Sequence, residues 1–109
     1  MAKHVTDDFM PLRLKIWRSG TAFMMPEARG PYLDLILAYW ELGPLPNEDA
    51  VLQSNARVAD PKLWKRIRDQ IVKKFIETDG MLRHERCDYE RDLAKSLYEK
   101  KSTAGQAGG

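Results

Sequence analysis

Residues 60–84 read DPKLWKRIRDQIVKKFIETDGMLRH. Asp60 can accept a backbone N–H at the start of a helix, and Pro61 suits the first helical position because its missing N–H has no partner there. Apolar residues then recur every four positions, which is typical of the buried face of a helix. They are Leu63, Ile67, Ile71 and Phe75, flanked by Trp64 and Val72. The stretch therefore predicts a helix from Pro61 to about Ile76.

The second half of the same stretch predicts a β-hairpin. Asp79-Gly80 supplies the positive φ angles that a tight type I′ turn requires. The turn joins the short segments 75–78 and 81–84, which we expect to pair as two strands. A small β-ribbon is thus predicted directly after a helix rich in lysine and arginine.

Two more helices are predicted on the N-terminal side of this stretch. The first is a long central helix that begins at about Pro26, continues to Leu42 and is stopped by Gly43 and Pro44. The second is short, with Asn47 as its N-cap and its end near Arg57. The long helix is expected to bury Leu33, Ile36, Leu37 and Trp40 on one stripe, widened by Tyr32, Leu35 and Tyr39.

The outer segments complete the predicted order of elements. Apolar and polar residues alternate over 9–16, with Pro11 interrupting, which predicts an edge strand or an extended arm. A charged helix is predicted from about Arg86 to Lys101. Its apolar residues are Tyr89, Leu93 and Leu97, and we expect the two leucines to dock on the domain or on a second copy of it.

These elements predict one domain of α+β, mostly α, class. A chain of 109 residues holds one core, and 43% apolar with 31% charged residues is the composition of a globular protein. We expect a flexible N-terminus at 1–8, a folded domain at 9–101 and a disordered tail at 102–109. The order favours a winged helix-turn-helix with a short β-hairpin wing and a C-terminal helix. A helical bundle that carries a hairpin is the alternative.

A set of residues in this order points to a known family. The set is Gly30-Pro31-Tyr32, Leu33, Leu37, Tyr39-Trp40, Gly43-Pro44-Leu45-Pro46, Trp64, Phe75, Asp79-Gly80 and Leu82. From about Phe9 to Leu97 the chain resembles the YdaU-like family of phage and prophage domains (domain of unknown function 1376). The resemblance implies a winged-helix domain like those of phage replisome organisers. Met25-Pro26 stands where the family has a Ser or Thr cap, and Pro31 replaces a small residue.

The charge pattern of the predicted 61–76 helix suggests a nucleic-acid contact. Six lysines and arginines outnumber the single Asp69, and several polar positions share one face. They are Lys62, Lys65, Arg66, Asp69 and Lys73. Such a face suits the phosphates or the major groove of double-stranded DNA, and Arg83 and His84 on the hairpin would add a second contact. A solvated lysine-rich face is the alternative.

The sequence gives little support for a metal site, a catalytic cysteine or a nucleotide-binding site. His84 and Cys87 are spaced as half of a zinc site, but a structural zinc ion needs four ligands and the only other histidine is His4. No base is identifiable for Cys87 as a nucleophile, and no glycine-rich nucleotide motif occurs. We therefore expect no metal, no cofactor and no enzymatic activity.

The sequence favours a phage or prophage DNA-binding protein linked to DNA replication or gene control. The alternative is a protein-interaction module, such as an inhibitor of a host or defence complex. Expected partners are double-stranded DNA, a replisome, host or defence-complex protein, and a second copy in a homodimer.

Residues 1–8 hold no signal peptide and the apolar run 35–40 is too short to span a bilayer, so we expect a cytoplasmic protein with no membrane contact. The further domain often attached in such proteins is not expected, nor is a complete replication initiator.

Overall fold

The computed structural model describes residues 10–108, with side chains described for 10–97. Within this range the chain forms five helices and three short strands. The helices are α1 (Leu14–Gly20), α2 (Pro26–Leu42), α3 (Asp49–Asn55), α4 (Pro61–Val72) and α5 (Glu85–Gly108). The strands are β1 (Leu45–Pro46), β2 (Ile76–Thr78) and β3 (Met81–Arg83). The predicted α+β, mostly α, class is confirmed.

Helix α2 lies at the centre of the domain and has the predicted bounds. It ends at Gly43, whose φ of 80° permits the backbone to leave the helix. The buried face is rotated from the predicted stripe, since Leu37 is 43% exposed. Tyrosines take inner positions instead because their hydroxyls find hydrogen-bond partners on the segment that begins α5. The buried residues of α2 are Ala28, Tyr32, Leu35, Ile36, Tyr39 and Trp40.

Helix α4 begins as its sequence indicates. The Asp60 carboxylate accepts a hydrogen bond from the backbone N–H of Lys62 at 3.0 Å, and Pro61 occupies the first turn. The helix ends at Val72, before the predicted end near Ile76, because the backbone turns over residues 73–75. Phe75 is still buried, and Trp64 is only 3% exposed, so the inward orientation of this helix is confirmed.

The three strands form one small antiparallel sheet in the order β1-β3-β2. The predicted turn is confirmed, since Asp79 and Gly80 have φ angles of 54° and 78°. Strand β1 pairs Leu45 with Leu82 of β3, a pairing the sequence analysis did not predict. Asn47 is not an N-cap, because its side-chain amide donates to Glu77 on β2 at 3.1 Å. Helix α3 therefore begins later, at Asp49.

The N-terminal segment differs from the predicted edge strand or arm. Residues 10–13 are irregular and α1 follows as a helix. The helix turns Trp17 toward α2, where its ring stacks on Tyr32 with centroids 5.5 Å apart. An alternating stretch this short fits either element, and this ring contact stabilises the helical one.

Helix α5 runs past its predicted end near Lys101. The backbone of residues 102–108, predicted as a disordered tail, is helical through Gly108, since no proline interrupts it and alanine favours a helix. Residue 109 and the predicted flexible segment 1–8 lie outside the described residues. Among the described residues, no helix combines the length and the apolar character needed to cross a membrane.

Candidate nucleic-acid interface

Helix α4 and Lys73, which directly follows its last residue, present five of the seven predicted contact residues on one face. Helical spacing of three or four places Lys62, Arg66, Asp69 and Lys73 in one row, with Lys65 beside it. All five side chains are exposed. Ile67 and Ile71 on the opposite face are fully buried, which fixes the orientation of the helix. We call these five residues the α4 basic face.

Acidic side chains near this face compensate only part of its charge. The Arg66 guanidinium lies 3.3 Å from the Glu27 carboxylate, and both groups are partly exposed. Asp69 accepts a hydrogen bond from Arg68 at 2.8 Å, and Arg68 also contacts Asp49. Pairs this exposed are worth at most about 1 kcal/mol.

The three lysines of the α4 basic face are not compensated in this way. Within residues 10–97, Lys62, Lys65 and Lys73 have no carboxylate within ion-pair distance. Uncompensated charges on one helix face create a local positive potential. A polyanion can lie on this surface without first displacing an internal partner of these lysines.

Arg83 belongs to the hairpin that follows α4. Its side chain is about half exposed, and one guanidinium nitrogen lies 3.7 Å from the Asp88 carboxylate at the start of α5. A contact of this length and exposure leaves the guanidinium free to turn toward a second anion. The structure therefore places Arg83 on the surface, as predicted.

His84 is not a surface residue, and its predicted contact with DNA is corrected. The side chain is 8% exposed and Nδ1 accepts the backbone N–H of Cys87 at 3.2 Å, which caps the start of α5. Because Nδ1 is an acceptor, the neutral ring carries its proton on Nε2, which lies 2.7 Å from the Tyr32 hydroxyl oxygen. Burial lowers the pKa of His84 below its ordinary value of 6.5, so the ring is neutral at pH 7.

The contacts of His84 also argue against a zinc site formed with Cys87, which the spacing of the two residues suggested. Nδ1 of the histidine is committed to the helix start, and burial raises the pKa of the Cys87 thiol to about 12. A thiol with so high a pKa is a poor nucleophile and a poor metal ligand. Among the residues the structure describes, no group of three or more His, Cys, Asp or Glu side chains could hold a metal ion.

The sequence did not reveal that α5 carries a buried carboxylate. Glu90 is only 4% exposed. It accepts hydrogen bonds at 2.9 Å from Arg13 and from Arg86. The hydrogen bond from Arg13 is the main reason that the pKa of Glu90 is lowered. Arg86 four residues earlier was a visible signal, whereas Arg13 lies 77 positions away in sequence.

Two partly buried polar contacts join α5 to α2. The Tyr39 hydroxyl donates to Asp88 at 2.6 Å, and the Arg91 guanidinium donates to the backbone carbonyl of Trp40 at 3.1 Å. Buried residues of α4 and of β3 belong to one hydrophobic core, so the α4 basic face and Arg83 keep a fixed relative position.

Comparison with known protein families matches most of the chain. A family model described as "Protein of unknown function (DUF1376)" matches residues 8–92. Neither the comparison with curated proteins nor the comparison with solved structures found a match.

Proposed function

The chain belongs to the DUF1376 family, whose function is unknown, and we propose that it binds duplex DNA and does not catalyse a reaction. The observation that carries the proposal is the α4 basic face. Its lysines Lys62, Lys65 and Lys73 are exposed and have no acidic partner within residues 10–97. Phosphate contacts by such side chains release counterions from DNA, which is the main source of sequence-independent affinity.

The order of elements supports the proposal. A helix, a short strand, two helices and a hairpin follow one another from α2 to β3, which is typical of a winged helix-turn-helix. In a helix-turn-helix the second helix enters the major groove. Helix α4 occupies that place after α3, and the turn between them contains Arg57 with a left-handed φ of 61°.

Side chains at different positions would contact different parts of the DNA. Lys62, Lys65 and Arg66 on the first half of α4 would contact one run of phosphates, and Arg83 on the hairpin would contact another. The carboxylate of Asp69 would be repelled by phosphates. We therefore expect it to face a base, where it can accept a hydrogen bond from the amino group of cytosine.

The biological setting of the proposal rests on the resemblance to phage and prophage domains. It is a role in phage DNA replication or gene control in the cytoplasm. A basic face on one helix is the electrostatic footprint expected of a protein that binds nucleic acid.

The test is binding to a labelled duplex, measured by fluorescence anisotropy at low salt. We expect Lys62→Ala, Lys65→Ala and Arg66→Ala together to weaken binding about tenfold or more. The matched control replaces three exposed cations elsewhere on the surface, Lys15, Arg18 and Arg29, by alanine and should bind as the wild type does. If both triple variants lost the same affinity for the duplex, the loss would come from the change in net charge, and α4 would not be the binding surface.

A protein-interaction module is the second candidate, favoured by apolar side chains that the domain leaves uncovered. Phe23 is fully exposed, and Leu14 and Leu42 are 72% and 65% exposed. Large exposed apolar side chains offer surface for a contact with a protein partner. Capture of a host protein by the wild type but not by Phe23→Ser or Leu42→Ser variants, with no affinity for duplex DNA, would establish this candidate and overturn the first.

A further inference from the structure

A cavity of about 120 Å³ lies between α1, α2 and the first turns of α5 and is open to solvent on one side. It is lined by Trp17 of α1 and by Tyr32, Ile36 and Trp40, which follow one another at spacings of four on α2. Most of the lining surface is apolar. A cavity of about 150 Å³ with an apolar lining can hold a benzene molecule. This cavity therefore suits an organic group of about that size or slightly smaller.

The cavity also has charged lining residues, which are Arg13, Arg86 and Glu90. The pKa of Glu90 is lowered, chiefly by the hydrogen bond from Arg13, so its carboxylate is ionised at pH 7. The remaining titratable side chains of the lining are neutral at pH 7, and they are Tyr32, His84 and Cys87. Two positive charges and one negative charge leave the lining with a net charge of +1. Because Arg13 donates two hydrogen bonds to Glu90, at 2.9 and 3.3 Å, the positive charge of Arg86 is the one left for a ligand.

One hydrogen-bond donor in this lining lacks an acceptor. The Nε atom of Arg86 is buried and has no hydrogen-bond partner among the described residues. A terminal nitrogen of the same guanidinium donates to Glu90 at 2.9 Å, which holds the side chain in place while Nε–H stays unpaired. A buried donor without an acceptor destabilises a protein, and a charged acceptor binds a donor about twice as strongly as a neutral one. A ligand carboxylate would satisfy this donor and offset the positive charge.

We propose that this cavity binds a small apolar carboxylic acid, with its apolar body against Trp17 and Trp40 and its carboxylate on Nε of Arg86. The Arg13 and Arg86 side chains are 51% and 40% exposed, so the charged end of the ligand stays near solvent, which limits the cost of removing its water. The residues that line the cavity belong to the segments 10–21 and 84–90 and to α2. The site is therefore separate from the α4 basic face, and the proposal does not depend on DNA binding.

The test is a titration of the full chain with benzoate at constant ionic strength, followed by NMR of the tryptophan indole N–H groups. Trp17 and Trp40 line the cavity, whereas Trp64 belongs to α4 and lies outside the lining, so it serves as an internal reference. We expect saturable shifts of the Trp17 and Trp40 signals with a Kd of about 1 mM, and a constant Trp64 signal. Benzyl alcohol, which has the same ring without the carboxylate, should bind about tenfold more weakly. The absence of saturable shifts, an equal shift of Trp64, or equal affinities for the two compounds overturns the proposal.

One pair of variants tests the contact with Arg86. Arg86→Lys keeps the positive charge but removes Nε–H, and should raise the Kd for benzoate about tenfold. Arg18→Lys makes the same change at an exposed arginine outside the lining and should leave the Kd unchanged. A wild-type Kd in Arg86→Lys, or equal losses in both variants, contradicts the role of Nε.

A second pair of variants tests the position of the apolar body and does not depend on Arg86. Ile16 lines the cavity and is 45% exposed, so Ile16→Phe can fill part of the cavity with little effect on the core. Leu14→Phe adds a ring at a more exposed position of the same helix, outside the lining. We expect Ile16→Phe to lose benzoate binding at an unchanged melting temperature, and Leu14→Phe to bind as the wild type does. Binding that persists in Ile16→Phe, or is lost equally in both, overturns the assignment to this cavity.

Discussion

The Nε2 atom of His84 lies 2.7 Å from the Tyr32 hydroxyl oxygen, in the buried space between α2 and the start of α5. The other ring nitrogen accepts the backbone N–H of Cys87. The neutral imidazole, at the end of the hairpin, is thus hydrogen-bonded to both α2 and α5. Protonation would replace the acceptor at Nδ1 by a donor and break the contact with Cys87.

Folding stability should therefore depend on the protonation of His84. Burial lowers the pKa of His84 in the folded chain, whereas the unfolded chain keeps a value near 6.5. As pH falls below about 6.5, the unfolded state binds a proton that the folded state does not, so the free energy of unfolding should decrease by up to about 1.4 kcal/mol per pH unit. Above pH 7 this dependence should vanish. Urea unfolding at pH 7.5, 6.5 and 5.5 measures it.

Two variants separate this proton from other effects. Asparagine can accept the Cys87 N–H without titrating, so His84→Asn should flatten the pH dependence in this range. Tyr32→Phe should lower stability by about 1 kcal/mol and keep the dependence. A wild-type dependence that persists in His84→Asn would assign the proton to another group.

A second prediction concerns the buried carboxylate of Glu90. Glu90→Gln removes the charge that pairs with Arg13 and Arg86, and should lower the free energy of unfolding by about 1 to 3 kcal/mol. Asp92→Asn, an exposed carboxylate on the same helix, should change it by less than about 0.5 kcal/mol. Equal effects in urea unfolding would mean that Glu90 is solvated.

Folding stability should also depend on pH through Glu90, in a more acidic range. Its pKa is lowered in the folded chain, chiefly by the hydrogen bond from Arg13, so its contribution to stability is present above its ordinary value of 4.5. That contribution should be lost as pH falls below 4.5, and Glu90→Gln should lack this part of the acid unfolding. An acid-unfolding curve of Glu90→Gln that keeps the wild-type steepness in this range would contradict the assignment.

A third prediction tests the core beneath the α4 basic face. Trp64 is 3% exposed, and its indole N–H points to Asp49 at 3.3 Å. Trp64→Ala should destabilise the fold by about 3 to 5 kcal/mol. Phe23→Ala removes an aromatic ring that is fully exposed and should cost less than about 0.5 kcal/mol. A melting temperature of Trp64→Ala equal to that of Phe23→Ala would show that α4 is rotated.

Local signals in the sequence were sufficient for the elements that have their own start and stop residues. Asp60-Pro61 began α4, Gly43 ended α2, and Asp79-Gly80 formed the hairpin turn. Each acts through its own backbone geometry or a neighbour two residues away. The exposed row of cations on α4 followed from the same reasoning, because the four-residue apolar repeat fixes the opposite face.

Features made by distant residues were not predictable in this way. Strand β1 exists because Leu45 finds Leu82 across the sheet, and α1 is oriented by the contact of Trp17 with Tyr32. His84 lies directly before an acidic helix start, which was a usable sign that it caps α5. Nothing in its neighbourhood revealed Tyr32, 52 residues away.

The most direct test of the DNA-binding proposal is the salt dependence of binding to a duplex. Four or five phosphate contacts from the α4 basic face and Arg83 should give a plot of log K against log salt with a slope of roughly −4. Replacing Lys62, Lys65 and Arg66 by alanine should reduce that slope to roughly −1 and leave the melting temperature nearly unchanged. A wild type without measurable binding at low salt, or a triple variant with the wild-type slope, would contradict the assignment of DNA binding to this helix.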